Sequence, residues 1–186
     1  MPLRPEPFIN GGIYHVFNKT IDKRQTFTID CYSVFFLEIL EYYRSIKSVV
    51  SHSRLKLLSP EENLKIFREI AYKKYFRIEI LAYCLMPNHF HLLIKQFVTD
   101  GIPRFVSNVV NSFTRYYNLQ HERKGPVFLP NFKSVKIESD EQLMHVSRYI
   151  HLNPYSSGLV RDRDKLPNYQ WSSFPEYLSQ ERRKVK

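Results

Sequence analysis

The sequence predicts an α+β fold built on an antiparallel sheet, and three observations carry that expectation. Ile13 to Asn18 (IYHVFN) alternates in character as a strand does and ends in a polar turn, KTIDKRQ. Phe76 to Gln96 gives two β-rich runs broken at Met86-Pro87-Asn88, a turn signal that makes them antiparallel neighbours or one kinked strand. Apolar residues recur at helical spacing in two other stretches, Val34, Leu37, Ile39, Leu40 and Tyr43 in one, Phe105, Val106, Val109, Val110, Phe113, Tyr116 and Tyr117 in the other. Strands and helices therefore alternate along the chain.

The first helix is expected from Asp30, as N-cap, to Ile46. The polar and basic stretch from Lys47 to Lys74 holds a helical insert, because Ser59, Pro60 and Glu62 stand in the order of a helix start. The helix over Ile102–Gln120 ends before Lys124-Gly125. Val127 to Ile137 reads as a strand pair or an extended arm. Ser139 to Gln142 forms an S-x-x-Q capping box opening a last helix, which Pro154 is expected to stop directly after Asn153. The end of the chain, ERRKVK, reads as a frayed basic tail. At 186 residues with 43% hydrophobic content, the chain has the length and core of one folded domain, 1–186.

Against 18 Asp and Glu the chain sets 28 Lys and Arg, a formal charge of +10, which makes a polyanion such as nucleic acid the expected partner class. Charge alone does not specify DNA. Aromatics are 15% of residues, most of them expected in the core and some able to stack on unpaired bases. Cys31 and Cys84 lack C-x-x-C spacing and read as ordinary buried thiols, which argues against a disulfide scaffold or zinc site and fits a reducing cytoplasm. There is no apolar leader and no run of about 18 apolar residues, so neither export nor membrane insertion is indicated.

The sharpest local feature is His89-Phe90-His91. On a strand, successive side chains point to opposite faces, so both imidazoles share one face while Phe90 packs on the other. Two neutral imidazoles are half a site for a divalent metal. Taken alone, two histidines that merely hydrogen-bond are as good a reading. The second feature is RYIHLNP, in which Tyr149 and Asn153 stand at i and i+4 on one helical face. If that helix crosses the histidine strand, Asn153 completes a ligand set while the Tyr149 oxygen attacks a phosphodiester polarised by the metal. A phenol ordinarily loses its proton near pH ~10, so such a nucleophile needs a metal or a general base. The helix pattern by itself favours the plainer reading, with Tyr149 in the core and Asn153 as a C-cap.

The ordered strings YCLMPNHFHLLI, GPVFLPNFKSVKI, RYIHLNPYSSGLV and YQWSSFPEYL, covering most of the chain from Tyr14 onward, resemble the successive motifs of the IS200-like transposases, in particular the REP-associated tyrosine transposases. The resemblance implies a ferredoxin-like (RRM-like) sandwich and single-stranded DNA nicking and joining at hairpins through a transient 5′-phosphotyrosine. By motif it implies Tyr149 as nucleophile and His89, His91 and Asn153 as ligands of Mg²⁺ or Mn²⁺. It leaves open whether the protein is a monomer or a homodimer with the tyrosine of one subunit serving the other. Two features depart from the family pattern. The Lys47–Lys74 segment is long, and Tyr155 stands where a small or β-branched residue is usual, beyond the expected end of the helix.

Arg115, Arg123, Lys124 and Lys133 are the candidates for DNA backbone contacts. His121, His145 and His151 read as structural or exposed, and Tyr116 and Tyr117 as buried. Two alternatives stand beside the enzyme: a domesticated, non-catalytic binder of hairpin nucleic acid, and a metal-dependent phosphodiesterase using water as nucleophile.

Overall fold

The computed structural model describes residues 7–179, so the basic ERRKVK tail lies outside the described residues. Four strands, β1 (Ile13–Lys19), β2 (Ile78–Met86), β3 (His89–Gln96) and β4 (Lys133–Ile137), form one sheet in the order β2-β3-β1-β4. Every neighbouring pair is antiparallel. Helix α1 (Asp30–Tyr43) follows β1 and α3 (Gly101–Gln120) follows β3, which completes a βαββαβ ferredoxin-like pattern. Three further helices are α2 (Pro60–Ala71), α4 (Asp140–Ser156) and α5 (Phe174–Ser179). Among the described residues no helix is long and apolar enough to cross a membrane.

Strand alternation divides the apolar residues between the two faces of the sheet. Tyr14 and Val16 of β1 and Phe90, Leu92 and Ile94 of β3 pack with Phe36, Ile39 and Leu40 of α1 and Phe105, Val109 and Phe113 of α3. Phe36 sits at the centre, its ring 5.1 Å from Phe90 and 5.4 Å from Phe113. The opposite face carries a smaller cluster, Ala82, Cys84, Met86 and Leu93, closed by Ile150 of α4. Helix α4 thus packs on the face to which His89 and His91 belong, with Tyr169 from the following segment against the same cluster.

The Met86-Pro87-Asn88 turn makes β2 and β3 a hairpin, with Met86 opposite His89 and Cys84 opposite His91. As the outer strand, β2 would expose unpaired backbone, but the segment after α4 covers part of it: Leu85 N donates to Trp171 O (2.8 Å) and Ser173 N to Tyr83 O (3.0 Å). The insert between α1 and β2 contains α2, opened by a complete capping box at Ser59 and Glu62 with Pro60 at its start.

Several local expectations are revised. Asp30 is the first helical residue, not the N-cap, which is Ile29; its carboxylate instead favours the positive end of the helix dipole. Helix α1 ends at Tyr43 because the backbone beyond it pairs with the approach to β2, Arg77 N donating to Arg44 O at 2.8 Å. Of the Val127–Ile137 stretch, only Lys133–Ile137 is a strand, while Phe128 makes an isolated bridge to Thr20. Cys84 is buried but Cys31 is exposed, and both are free thiols. The capping box of α4 is half formed: the Ser139 side chain accepts from Gln142 N, whereas Gln142 Oε1 accepts from Glu138 N.

The expected stop at Pro154 does not occur, since α4 runs on to Ser156. Proline removes only one donor, and here it falls in the last turn, where the chain is about to leave the helix. The true terminator is Gly158, at φ +76°, with Ser157 N donating to Asn153 O (3.0 Å) and Gly158 N to Tyr155 O (2.9 Å).

Candidate functional site

The site is assembled on the β1–β3 pair beneath α4. Phe90 is fully buried on the α1 and α3 side, so its neighbours His89 and His91 face the other way, their rings 5.0 Å apart and at 84°. Helix α4 brings Tyr149 over them. Its ring lies 5.7 Å from that of His91, nearly perpendicular to it, and remains 49% exposed. On the helix, Ile150 and Pro154 are buried and set the inward face, so Tyr149 and Asn153 share one flank beside it. Asn153 turns its amide back along the helix, Nδ2 donating to Tyr149 O at 2.9 Å.

Each histidine of the pair is held through Nδ1. For His89 the partner is Asn88 Oδ1 at 2.7 Å, and for His91 it is Nε2 of His15 at 2.9 Å. His15 is a third histidine at the site that sequence reading missed. The alternation in IYHVFNK held the signal: Tyr14 and Val16 belong to the large core, which puts His15, Phe17 and Lys19 on the face of the pair. Strand register places Phe17 opposite His91 and Lys19 opposite His89. The Phe17 ring is 5.1 Å from His15 and 5.6 Å from His91.

Burial holds all three imidazoles uncharged at neutral pH. His91 is pushed down to about 3, by burial first and then by His15, His89 and Lys19. His15 is pushed down to about 4 by burial, and His89 is lowered by burial and by Lys19. Uncharged rings keep the lone pairs that metal ligation needs. With both Nδ1 atoms engaged, Nε2 is the donor each ring of the pair has left. The donor set therefore fits a divalent cation at His89 and His91, and Asn153 stands one helical turn beyond Tyr149. Among the described residues no group of three or more His, Cys, Asp and Glu is arranged to hold a metal, so His15 does not extend the set.

The candidate DNA contacts are not gathered together. Lys133 of β4 lies opposite Phe17 on the site's face. Arg123 and Lys124 follow α3, in a loop leading to Leu129, whose N donates to Lys19 O (2.9 Å) at the His89 end of the sheet. Arg123 is spent on tying that loop to α3, bonded to Asn118 Oδ1 (2.6 Å) on the helix and Pro126 O (3.3 Å) in the loop. Arg115 is exposed on α3, in the layer on the other side of the sheet.

His121, His145 and His151 are structural or exposed, as expected. His151 is buried, Nε2 lying 2.8 Å from Ser173 Oγ, and fastens the segment that covers β2. His121 Nε2 lies 2.8 Å from the Tyr32 hydroxyl, and His145 is exposed. Tyr117 is buried and Tyr116 half-buried. Tyr155 is helical after all, yet six residues from Tyr149 it points about 240° around the helix axis and away from the pair.

A ferredoxin-like sheet with an H-x-H pair under a tyrosine-bearing helix defines a protein of the HUH class. The family model described as "Transposase IS200 like" matches residues 48–153, more than half of the sequence, and the chain belongs to that family of Y1-type transposases. No curated protein matches it. Among solved structures it is similar to a REP-associated tyrosine transposase bound to a REP hairpin, at TM-score 0.64 and 16% identity over 97% of this chain and 87% of that one. At such identity the likeness establishes the shared fold. A Deinococcus radiodurans protein described as a transposase is similar in part, at TM-score 0.44 and 16% identity over 80% of this chain and 95% of that one.

Proposed function

We propose that this transposase cleaves and rejoins single-stranded DNA beside a hairpin, with Tyr149 as nucleophile and a divalent cation, Mg²⁺ or Mn²⁺, held by His89, His91 and Asn153. The observation that carries the reading is the Tyr149 ring standing 5.7 Å from that of His91, which brings a phenol to the mouth of a two-imidazole donor site. The bound cation would polarise a non-bridging phosphate oxygen and favour the ionised phenol. In cleavage the Tyr149 oxygen bonds to phosphorus as the P–O3′ bond breaks; the phenolic proton passes to solvent, and the departing 3′-oxygen takes a proton from solvent to become a 3′-hydroxyl. The 5′-phosphate stays on Tyr149, and attack by a 3′-hydroxyl reverses the step and joins strands. Exposure of the ring allows a strand to reach it.

A hairpin substrate is supported by the related fold bound to a REP hairpin and by the +10 formal charge. Lys19 and Lys133, on the site's face, are basic residues placed to meet the flanking phosphates, with Lys124 at the same end of the sheet. An exposed free thiol at Cys31 suits a reducing compartment such as the cytoplasm.

The test is cleavage of end-labelled single-stranded hairpins with Mn²⁺, resolved on denaturing gels with and without protease. A protein-linked 5′ product from wild type and none from Tyr149→Phe is the expected result. Hairpin binding without cleavage by either protein would mean a domesticated binding module. Cleavage that survives Tyr149→Phe would mean water as nucleophile.

A further inference from the structure

His15 answers a question that the H-x-H pair leaves open. A metal-binding imidazole must offer the lone pair of one nitrogen, so its single proton has to sit on the other. For His89 the matter is decided by Asn88: Oδ1 can only accept, so the proton is on Nδ1 and Nε2 is bare. For His91 the partner is another ring nitrogen, Nε2 of His15, 2.9 Å from Nδ1, and a hydrogen bond between two ring nitrogens holds one proton that either could own. If His15 owned it, the proton of His91 would lie on Nε2 and block ligation.

We propose that His15 is a positioning residue for the metal site, accepting a hydrogen bond at Nε2 from His91 Nδ1–H and so holding His91 in the tautomer that leaves its own Nε2 free. The inference rests on the metal-dependent reading above. The fold fixes the arrangement from several sides. Strand register sets His15 opposite Leu93 and diagonal to His91. The ring packs 5.1 Å from Phe17 and 6.0 Å edge-on from Tyr149, and the residue is 8% exposed. A side chain so enclosed restrains the plane of His91 as well as its proton. His15 is not itself a third ligand, because the nitrogen it turns towards the pair is the one bonded to His91. The two ligands therefore have matched outer supports, an amide oxygen for one and an imidazole for the other, which is how metal-binding histidines are ordinarily oriented.

The experiment compares wild type, His15→Phe and His15→Gln in the full chain, without DNA. Nitrogen–proton correlation spectra of the metal-free proteins read the tautomer of His91, calorimetric titration reads Mn²⁺ affinity, and circular dichroism checks folding. In wild type the His91 proton resides on Nδ1. His15→Phe keeps the bulk but not the acceptor; it mixes the tautomers and weakens Mn²⁺ about 10- to 100-fold. His15→Gln, whose amide oxygen accepts, recovers most of the affinity and keeps the fold testable should the Phe variant not fold. A His91 proton on Nε2 in wild type, or unchanged Mn²⁺ affinity in a folded His15→Phe, overturns the role of His15 alone. A wild-type protein that binds no Mn²⁺ overturns the metal-dependent function itself.

Discussion

The ring of Tyr149 meets that of His91 edge-on, with planes at 87°, and the contact joins two parts of the chain that are distant in sequence. It depends on α4 docking through Ile150, which is fully buried against the second face of the sheet. Removing only the hydroxyl leaves that docking intact. Tyr149→Phe should abolish the protein-linked DNA product, a loss of at least about a thousandfold in cleavage, while hairpin affinity in a mobility-shift assay changes little. Tyr155→Phe, on another side of the helix, should cleave as wild type does. Loss of the adduct with Tyr155→Phe instead would reassign the nucleophile.

Asn153 stands one turn from Tyr149, and its Nδ2 already bonds the Tyr149 carbonyl. Asn153→Ala removes both that bond and the amide oxygen proposed as the third ligand. Because two imidazoles remain, Mn²⁺ binding should weaken by about tenfold to a hundredfold without vanishing, whereas His89→Ala should lose most of it. Calorimetric titration of the DNA-free variants distinguishes these outcomes, and equal affinity in Asn153→Ala and wild type would remove Asn153 from the ligand set.

The parts of this site that were legible in sequence were the local ones. The H-x-H pair, the Pro-Asn turn before it and the i, i+4 spacing of Tyr149 and Asn153 follow from strand and helix periodicity within a dozen residues. His15 escaped notice because its meaning depends on which strand lies beside β3, a pairing 76 residues away in sequence. The covering of β2 by Trp171 and Ser173 is long-range in the same sense. Pro154 misled for a different reason: proline breaks helix interiors, but near a C-terminus the later Gly158 decides where the helix ends.

Phe90 divides the two functions of its strand, since its neighbours form the site while it anchors the core. It is fully buried, with ring contacts to Phe36 and Phe128. Phe90→Ala should cost about 3–5 kcal/mol of stability through lost burial and the cavity left behind. Denaturant unfolding measures this, and a loss under about 1 kcal/mol would show that the core around Phe36 re-forms without it.

Acid should destabilise the metal-free protein through its buried imidazoles. His15 and His151 are lowered to about 4 and His91 to about 3 from an unfolded value of 6.5. Below pH 6.5 the unfolded chain takes up protons that the folded chain refuses, so stability is complete above that value and falls as pH drops towards 4. Each group contributes a slope of up to about 1.4 kcal/mol per pH unit. Urea unfolding at pH 7.5, 6 and 5 should show the decline, and His151→Gln should make it shallower. A flat profile over that range would mean that these imidazoles are not held uncharged by the fold.

Salt dependence separates basic residues on the site's face from those elsewhere. Lys133 lies opposite Phe17, whereas Arg115 is exposed in the layer across the sheet. A phosphate contact releases condensed counterions, and each one lost lowers the slope of log affinity against log salt by about 0.7 for a single strand. A strand that brings its phosphate to Tyr149 lies on the face of the sheet that carries Lys133, whereas Arg115 stands in the layer across the sheet. Lys133→Ala should therefore reduce the slope by about that amount and weaken binding of a single-stranded flank, with Arg115→Ala leaving both unchanged. The reverse pattern would place the strand on α3, on the far side of the sheet from Tyr149, and would contradict cleavage at this site.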